Sequence, residues 1–292
     1  MGISFYKKYP VVRDLFEMAG QILGFDLSAI CFKGGIVKLN RIENALLAVY
    51  VVSVGYFLVL QLHEEKRPLF FAGHSVGEYA ALTCSGALSF QQGVELVRLR
   101  AELAKQEMGG QGMTVIKGIA PAEVESYCST RNPGEMVTIG CYNSPLQVML
   151  SGHETALKKI EALLLREYPH AEVLPLASCP AFHSPLLEGA SHKLKGYLES
   201  CTWGSWTYPV ISNVTAQPYS TPEEAIDLLT LQLHKPVQWT RTLDFFKSAN
   251  VRALIEVGPQ TILKQLTPPD SIPCFSLDHK IDREKLTVCL TN

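Results

Sequence analysis

Charge is scarce in this sequence, and the common signatures of metal binding, secretion and nucleic-acid recognition are missing. Charged residues make up 18% of the 292 residues and the net charge is -2, which gives no sign of a surface for nucleic acid or anionic membranes. The eight cysteines form no Cys-x-x-Cys pair, so neither a zinc site nor a disulfide framework is indicated and we expect a cytoplasmic protein. The N-terminal residues lack the apolar segment of a signal peptide.

Apolar residues are plentiful, at 47%, and one run of them is long enough to raise the question of a membrane span. The stretch 45–62 carries no charge and has the length of a transmembrane helix. Tyr50, Ser53, Tyr56 and Gln61 dilute its hydrophobicity, and another apolar run begins only a few residues later. We therefore interpret 45–62 as a helix buried inside an α/β domain and expect no membrane span.

That second apolar run leads into the most informative stretch of the chain. An apolar segment at 68–72, predicted to be a buried strand, is followed by Gly-His-Ser-Val-Gly at 73–77 and by a predicted helix. Strand, sharp turn and helix with a serine at the apex is typical of a nucleophile elbow. The N–H of Val76 lies at the start of that helix, where it is placed to stabilise an oxyanion formed when Ser75 attacks a substrate. A glycine-bounded turn with an ordinary N-cap serine is the alternative interpretation.

A buried arginine is predicted on the next helix. Ser-Phe-Gln-Gln at 89–92 is a capping box that opens a helix to about residue 108. Arg100 shares one face of this helix with Val97, Leu103 and Ala104. A guanidinium on an apolar face is costly unless an anion pairs with it, so either a substrate anion or a structural salt bridge is expected there.

The predicted secondary structure changes after the glycine-rich break at 109–112. The elements that follow are strand, helix, strand, strand, helix and strand. This order is ferredoxin-like and self-contained, so we predict a small inserted subdomain at 113–177 and a larger one formed by 1–112 and 178–292. The expected small-subdomain strands are 113–119, 136–142, 147–151 and 171–176. Elsewhere we expect two short helices within 1–35, strands at 210–214, 253–257 and 274–277, and a loose C-terminal tail.

A serine nucleophile needs a base, and two of the eight histidines are candidates by position. His74 adjoins Ser75 but is expected to point away across the turn. His183 lies on a tight Phe-His-Ser-Pro turn where the chain returns from the small subdomain, so its ring could meet Ser75. A satisfied structural histidine is the alternative for either position.

The residues at 73–78 resemble the active-site motif of malonyl-CoA:acyl carrier protein transacylases and polyketide synthase acyltransferase domains. The resemblance extends from about residue 5 to about residue 278. It implies that Arg100, 25 residues after Ser75, binds the free carboxylate of the substrate and that His183 is the base. It also implies that Phe182 belongs to the malonyl-selecting segment and that the backbone carbonyl of Gln232 orients His183. Residues 236–240 and 256–259 match further landmarks of the family.

The resemblance also implies a fold and a reaction. The expected fold is α/β, with an α/β-hydrolase-like core containing a parallel sheet and an inserted ferredoxin-like small subdomain. The expected enzyme is a serine acyltransferase, an [acyl-carrier-protein] S-malonyltransferase of fatty acid or polyketide biosynthesis. Its partners would be malonyl-CoA as substrate and an acyl carrier protein, with no metal, no cofactor and no nucleic acid. We expect it to be a monomer.

Two departures from the family pattern leave other functions open. The family begins with an apolar strand and a Gly-Gln-Gly-Ser-Gln loop, whereas this chain starts with Met1-Gly2, so a core strand and one oxyanion donor are expected to be absent. Glu43-Asn44-Ala45 replaces a Thr-Gln-Pro segment that supplies a pocket glutamine. An acyl hydrolase of the same family is a second hypothesis, although such hydrolases lack the arginine. A catalytically weakened carrier-protein-binding module is the third.

Overall fold

The structure, a computed structural model, describes residues 1–62, 68–130, 136–176 and 179–291. Three sheets organise these residues. Two of them consist of short strands, and the third is a four-stranded antiparallel sheet with its own apolar core. The predicted subdomain boundary at 177–178 lies outside the described residues, so the exact domain limits stay a prediction.

Short helices form the N-terminal part of the chain. They are α1 (Ile3–Lys8), α2 (Pro10–Leu23), α3 (Leu27–Lys33) and α4 (Gly35–Leu39). The expectation of two helices within 1–35 is therefore wrong. Pro10 at the first position of α2 fixes a helical φ, and the side chain of Asp26 caps α3 by accepting from the N–H of Ala29. These two signals divide the segment more finely than its apolar spacing suggests.

The uncharged stretch forms the long helix α5 (Ile42–Gln61). By length and composition it is the one continuous helix of the described residues that could cross a membrane, and 61% of its apolar window is buried inside the protein. The helices α2 and α3 would qualify only as one span broken by a 118° bend. Helix α5 packs on α2, on α6 (Gly77–Cys84) and on α7 (Phe90–Gln106), as predicted for a core helix.

The central strands are shorter than the sequence predicts. Strand β1 (Phe71–Ala72) precedes the serine turn and pairs in parallel with β6 (Val210–Ile211), which pairs in antiparallel fashion with β7 (Pro218–Tyr219). Strand β8 (Leu254–Glu256) pairs in parallel with β9 (Cys274–Ser276). Because β1 ends directly at the elbow and β6 ends beside it, residues that follow both strands meet at one edge of the sheet.

The inserted sheet matches the predicted β-α-β-β-α-β order. Its strands are β2 (Gln111–Lys117), β3 (Val137–Ser144), β4 (Gln147–His153) and β5 (Glu172–Leu176), and its helices are α8 (Pro121–Thr130) and α9 (Glu154–Glu167). The strand order β3-β4-β2-β5 is that of a ferredoxin-like sheet. Apolar side chains of β2, β3, β4 and α9 form a core separate from the main one.

The remaining helices close the large subdomain around the central strands. They are a 3₁₀ helix (Pro185–Leu187), α10 (Glu188–Ser200), α11 (Pro222–Gln232), α12 (Trp239–Ser248), α13 (Ile262–Leu266) and α14 (Lys280–Thr291). The expectation of a loose tail is wrong, because α14 is helical. Asp282 in its first turn pairs with Lys264 and accepts from the N–H of Ser276, which fastens this helix to α13 and β9.

Candidate active site

Ser75 lies at the apex of a strained turn between β1 and α6. Its φ is 53°, in the left-handed region that costs a non-glycine residue about 1–2 kcal/mol. Gly73 is required for a different reason, since a Cβ there would overlap the backbone of Gly77. Asn213, just beyond β6, holds the turn from both sides. Its Oδ1 accepts from the N–H of Ser75 at 2.6 Å, and its Nδ2 donates to the carbonyl of Gly73 at 2.6 Å.

His183 faces the serine from a second strained position. Its φ is 62° and its backbone N–H donates to the carbonyl of Leu233 at 2.9 Å. The ring Nε2 lies 2.8 Å from Oγ of Ser75, and Nδ1 lies 2.7 Å from the backbone carbonyl of Gln232. Since a carbonyl can only accept, Nδ1 carries the proton and Nε2 is free to take one from the serine.

Burial, and secondarily the positive charge of Arg100, lowers the pKa of His183 to about 3. The imidazole is therefore neutral at neutral pH, which is the state that a general base needs. When the ring becomes an imidazolium, its positive charge is repelled by the nearby guanidinium of Arg100, and this repulsion has to be offset.

The turn that carries His183 is attached to the inserted sheet. Ser151 of β4 donates from Oγ to the carbonyl of Phe182 at 2.6 Å, and the N–H of Ala181 donates to Oε1 of Gln111 in β2 at 3.1 Å. The base is thus held by the small sheet on one side and by the C-terminal end of α11 and the residue after it on the other. The elbow also reaches the small sheet, because Nε2 of His74 lies 2.8 Å from Oδ1 of Asn143.

Arg100 is fully buried beside the serine. Its Nη2 donates to Oγ of Ser75 at 2.9 Å, and its guanidinium carbon lies 4.5 Å from the centre of the Phe182 ring. No hydrogen-bond partner of its Nε or Nη1 is found among the described residues. Nη2 carries a second N–H, and together with Nε or Nη1 it can form one edge of the planar guanidinium for a bidentate anion. The burial of this apolar helix face, together with Val97, Leu103 and Ala104, is as predicted.

Val76 is buried at the N-cap of α6, where the first N–H groups of a helix are unpaired. Within the described residues its N–H has no acceptor, and it lies next to the attacking oxygen in the chain. An unpaired N–H beside the nucleophile is a candidate oxyanion donor. No group of three or more metal-ligating side chains occurs among the residues that the structure describes.

The structure brings together all six predicted site residues. They are Ser75, Val76, Arg100, Phe182, His183 and Gln232. Sequence reasoning missed a second set beneath them, Glu78, Asn213 and Tyr219, which are joined by hydrogen bonds to one another or to the elbow. The signal that could have identified Asn213 is its place after a predicted strand. That strand, β6, pairs in parallel with the elbow strand β1, so both strands end at the same edge of the sheet.

Comparisons with known proteins agree with this geometry. The family profile described as "Acyl transferase domain" matches residues 1–268. A malonyl CoA-acyl carrier protein transacylase of Escherichia coli O157:H7 is 33% identical over 261 residues, covering 89% of this chain and 84% of that protein. The polyketide biosynthesis protein PksE of Bacillus subtilis is 31% identical over 91% of this chain, which spans 34% of that longer protein.

Solved structures agree closely over the whole fold. The malonyl CoA-acyl carrier protein transacylase of Coxiella burnetii superposes with a TM-score of 0.93 at 27% identity, covering 100% of this chain and 93% of the other. A malonyl-transacylase solved in complex with its type II polyketide synthase acyl carrier protein gives 0.91 at 31% identity, covering 98% and 93%. An α/β core with a ferredoxin-like insert and a serine at a nucleophile elbow defines a serine acyltransferase architecture. The chain belongs to the acyl transferase domain family.

Proposed function

We propose that this protein transfers a malonyl group from malonyl-CoA, through an ester on Ser75, to the phosphopantetheine thiol of an acyl carrier protein. The observation that carries the proposal is the position of the Ser75 hydroxyl. Its Oγ lies 2.8 Å from Nε2 of His183 and 2.9 Å from Nη2 of Arg100. One oxygen is therefore shared by a neutral base and by a buried cation with free donors.

In the first half-reaction Ser75 Oγ attacks the thioester carbonyl while Nε2 of His183 takes its proton. The carbonyl oxygen becomes an oxyanion, which the N–H of Val76 stabilises. The carbonyl of Gln232 holds the Nδ1 proton and keeps the imidazolium in one orientation. The C–S bond then breaks, His183 returns its proton to the sulfur, and coenzyme A leaves.

The second half-reaction runs the same steps in reverse with another thiol. The phosphopantetheine thiol gives its proton to His183 and its sulfur attacks the ester carbonyl. The bond to Ser75 Oγ breaks, and the serine recovers its proton from His183. These steps use only residues of the chain and the two thiol substrates.

Arg100 gives the site its preference for a malonyl group. Taking a carboxylate into a buried pocket is costly unless a cation and its hydrogen bonds replace water. The Nε and Nη1 groups of Arg100 lack partners among the described residues, so they are free for that role. The ring of Phe182 lies against one face of the guanidinium and limits where it can move.

The test is intact-mass spectrometry after mixing the protein with malonyl-CoA. A mass increase of one malonyl group, located on Ser75 by peptide mapping and lost in Ser75→Ala, is expected. Addition of a phosphopantetheinylated carrier protein should discharge it to that protein. Discharge to free malonate instead would support an acyl hydrolase, and a label that survives in Ser75→Ala would refute the assignment of the nucleophile. The monomeric state and the cytoplasmic location stay predictions.

A further inference from the structure

A fully buried carboxylate lies beneath the serine turn. Glu78, in the first turn of α6, has no solvent exposure, and no lysine, arginine or histidine of the described residues forms an ion pair with it. Burial raises its pKa to about 7 against the hydrogen bonds that it accepts. Burying an apolar side chain at this position would cost less desolvation free energy than burying a carboxyl group, so packing alone does not explain Glu78.

Three groups donate hydrogen bonds to this carboxylate, and two of them also hold the reacting residues. The side-chain amide of Gln232 donates to Oε2 at 2.7 Å, the backbone N–H of Asn213 donates to Oε2 at 3.1 Å, and the hydroxyl of Tyr219 donates to Oε1 at 2.9 Å. The first two donors also hold the serine turn or the histidine, whereas Tyr219 does neither in the described contacts.

Gln232 connects Glu78 with both reacting side chains. Its Nε2 donates not only to Glu78 but also to the backbone carbonyl of Ser75, at 3.1 Å. Its own backbone carbonyl lies 2.7 Å from Nδ1 of His183. A shift of this residue would therefore move the base relative to the nucleophile.

Asn213 connects Glu78 with the backbone of the elbow. Glu78 fixes the N–H of Asn213, and the side chain of Asn213 bonds the N–H of Ser75 and the carbonyl of Gly73 at 2.6 Å each. Ser75 and His183 both have positive φ, at 53° and 62°. Backbone strain of this kind persists only where the surroundings hold the residue in place.

We propose that Glu78 is a positioning residue that fixes Ser75 and His183 relative to each other through Asn213 and Gln232, without contacting the substrate. The proposal rests on the proposed function for the identity of the acyl group but not for the geometry of the pair. The role requires a hydrogen-bond acceptor at the position of Oε2, where Asn213 and Gln232 donate. The position of this acceptor should therefore affect the rate more than its charge does.

Two variants separate placement from charge. Glu78→Gln keeps the side-chain length, its carbonyl can accept from Asn213 and Gln232, and its amide can donate to the hydroxyl of Tyr219. Glu78→Asp keeps an ionisable carboxyl group but withdraws it by one bond, about 1.5 Å. Misplacement of about 1 Å in a catalytic constellation costs on the order of 100-fold in rate. Tyr219→Phe is the matched control, because it removes a donor to the same carboxylate that holds neither reacting residue.

The measurement is the rate at which a fluorophosphonate labels Ser75, taken on each variant after its folding has been checked by circular dichroism and melting temperature. We expect Glu78→Gln and Tyr219→Phe within about fivefold of the wild type and Glu78→Asp lower by about 10- to 100-fold. Labelling by Glu78→Asp that equals or exceeds that of Glu78→Gln, or wild-type rates in both, would overturn the proposal.

The fluorophosphonate reports on the pair independently of the acyl group. A wild type that reacts with this probe but not with malonyl-CoA would refute the proposed function. The labelling rates of the Glu78 variants relative to the wild type would still decide the role of Glu78. A parallel fall in malonyl transfer for Glu78→Asp, in kcat rather than in KM, is expected if both proposals hold.

Discussion

Nη2 of Arg100 donates a hydrogen bond to Oγ of Ser75 at 2.9 Å, so the cation contacts the nucleophile directly in the free protein. A substrate carboxylate that binds this guanidinium would neutralise the charge next to both Ser75 and His183. Substrate binding and activation of the base are thereby coupled through one side chain.

Replacing Arg100 should alter selectivity more than chemistry. In Arg100→Ala, kcat/KM for malonyl-CoA should fall by about 100-fold or more, because a buried carboxylate would lose its counter-charge, while acetyl-CoA should be affected far less. Arg100→Lys should recover only part of the malonyl activity, since a point charge cannot reproduce two parallel hydrogen bonds. Equal losses for the two substrates in Arg100→Ala would show that the arginine is structural.

Removing the imidazole should leave a folded but slow enzyme. His183→Ala should lower the rate of Ser75 acylation by about 10²- to 10⁴-fold, the usual effect of losing a general base. His192, exposed on α10, provides the control, and His192→Ala should behave as the wild type. Near-native transfer by His183→Ala, measured by the same mass assay, would mean that another group is the base.

The acid limb of the pH profile of kcat/KM should lie at lower pH than an ordinary histidine would give. Burial and then Arg100 lower the pKa of His183 to about 3 from a usual 6.5, so the ring stays neutral as the pH falls through the usual range. We expect kcat/KM for acylation to stay nearly flat between about pH 5 and pH 8, since this parameter reports the free enzyme. A midpoint near the ordinary histidine value would contradict the assigned environment of the base.

Glu78 should make the wild type less stable relative to Glu78→Gln as the pH rises. The folded pKa of about 7 lies above the usual 4.5, so the folded state holds a proton that the unfolded state has released. The stabilisation is complete below about pH 4.5 and is lost as the pH rises through about 7. The free energy of unfolding of the wild type, minus that of Glu78→Gln, should therefore decrease as the pH rises from about 4.5 to about 7. Denaturant unfolding of both proteins across this range measures the difference.

Features encoded over short distances in the sequence were the easiest to predict. The elbow follows from glycines that a tight turn requires, and the capping box at Ser89 is present with both of its hydrogen bonds. The ferredoxin-like insert follows from the order and length of its elements. Position alone makes His183 one of two candidate bases, and the family resemblance supplies its role.

Features encoded by long-range contacts were missed. Glu78 has the local character of any acidic residue in a first helical turn, and its partners Asn213 and Tyr219 stand 135 and 141 residues away. The role of Gln232 depends on a backbone carbonyl, which its residue type does not reveal. The sequence predicted a loose tail in place of helix α14 because its anchor, Asp282, is paired with residues outside its own segment.

The insertion of the small sheet between the nucleophile and the base has a consequence for protein synthesis. Ser75 precedes His183 by 108 residues, which at ordinary translation speeds is roughly 5–20 s. During that interval the nascent chain carries the elbow serine without the imidazole that would activate it. A chain that has not reached residue 183 lacks this imidazole, and the histidine turn also needs Gln111 and Ser151 of the inserted sheet to hold it. The order of the elements along the chain thus keeps acyl transfer switched off until both halves of the site have been made.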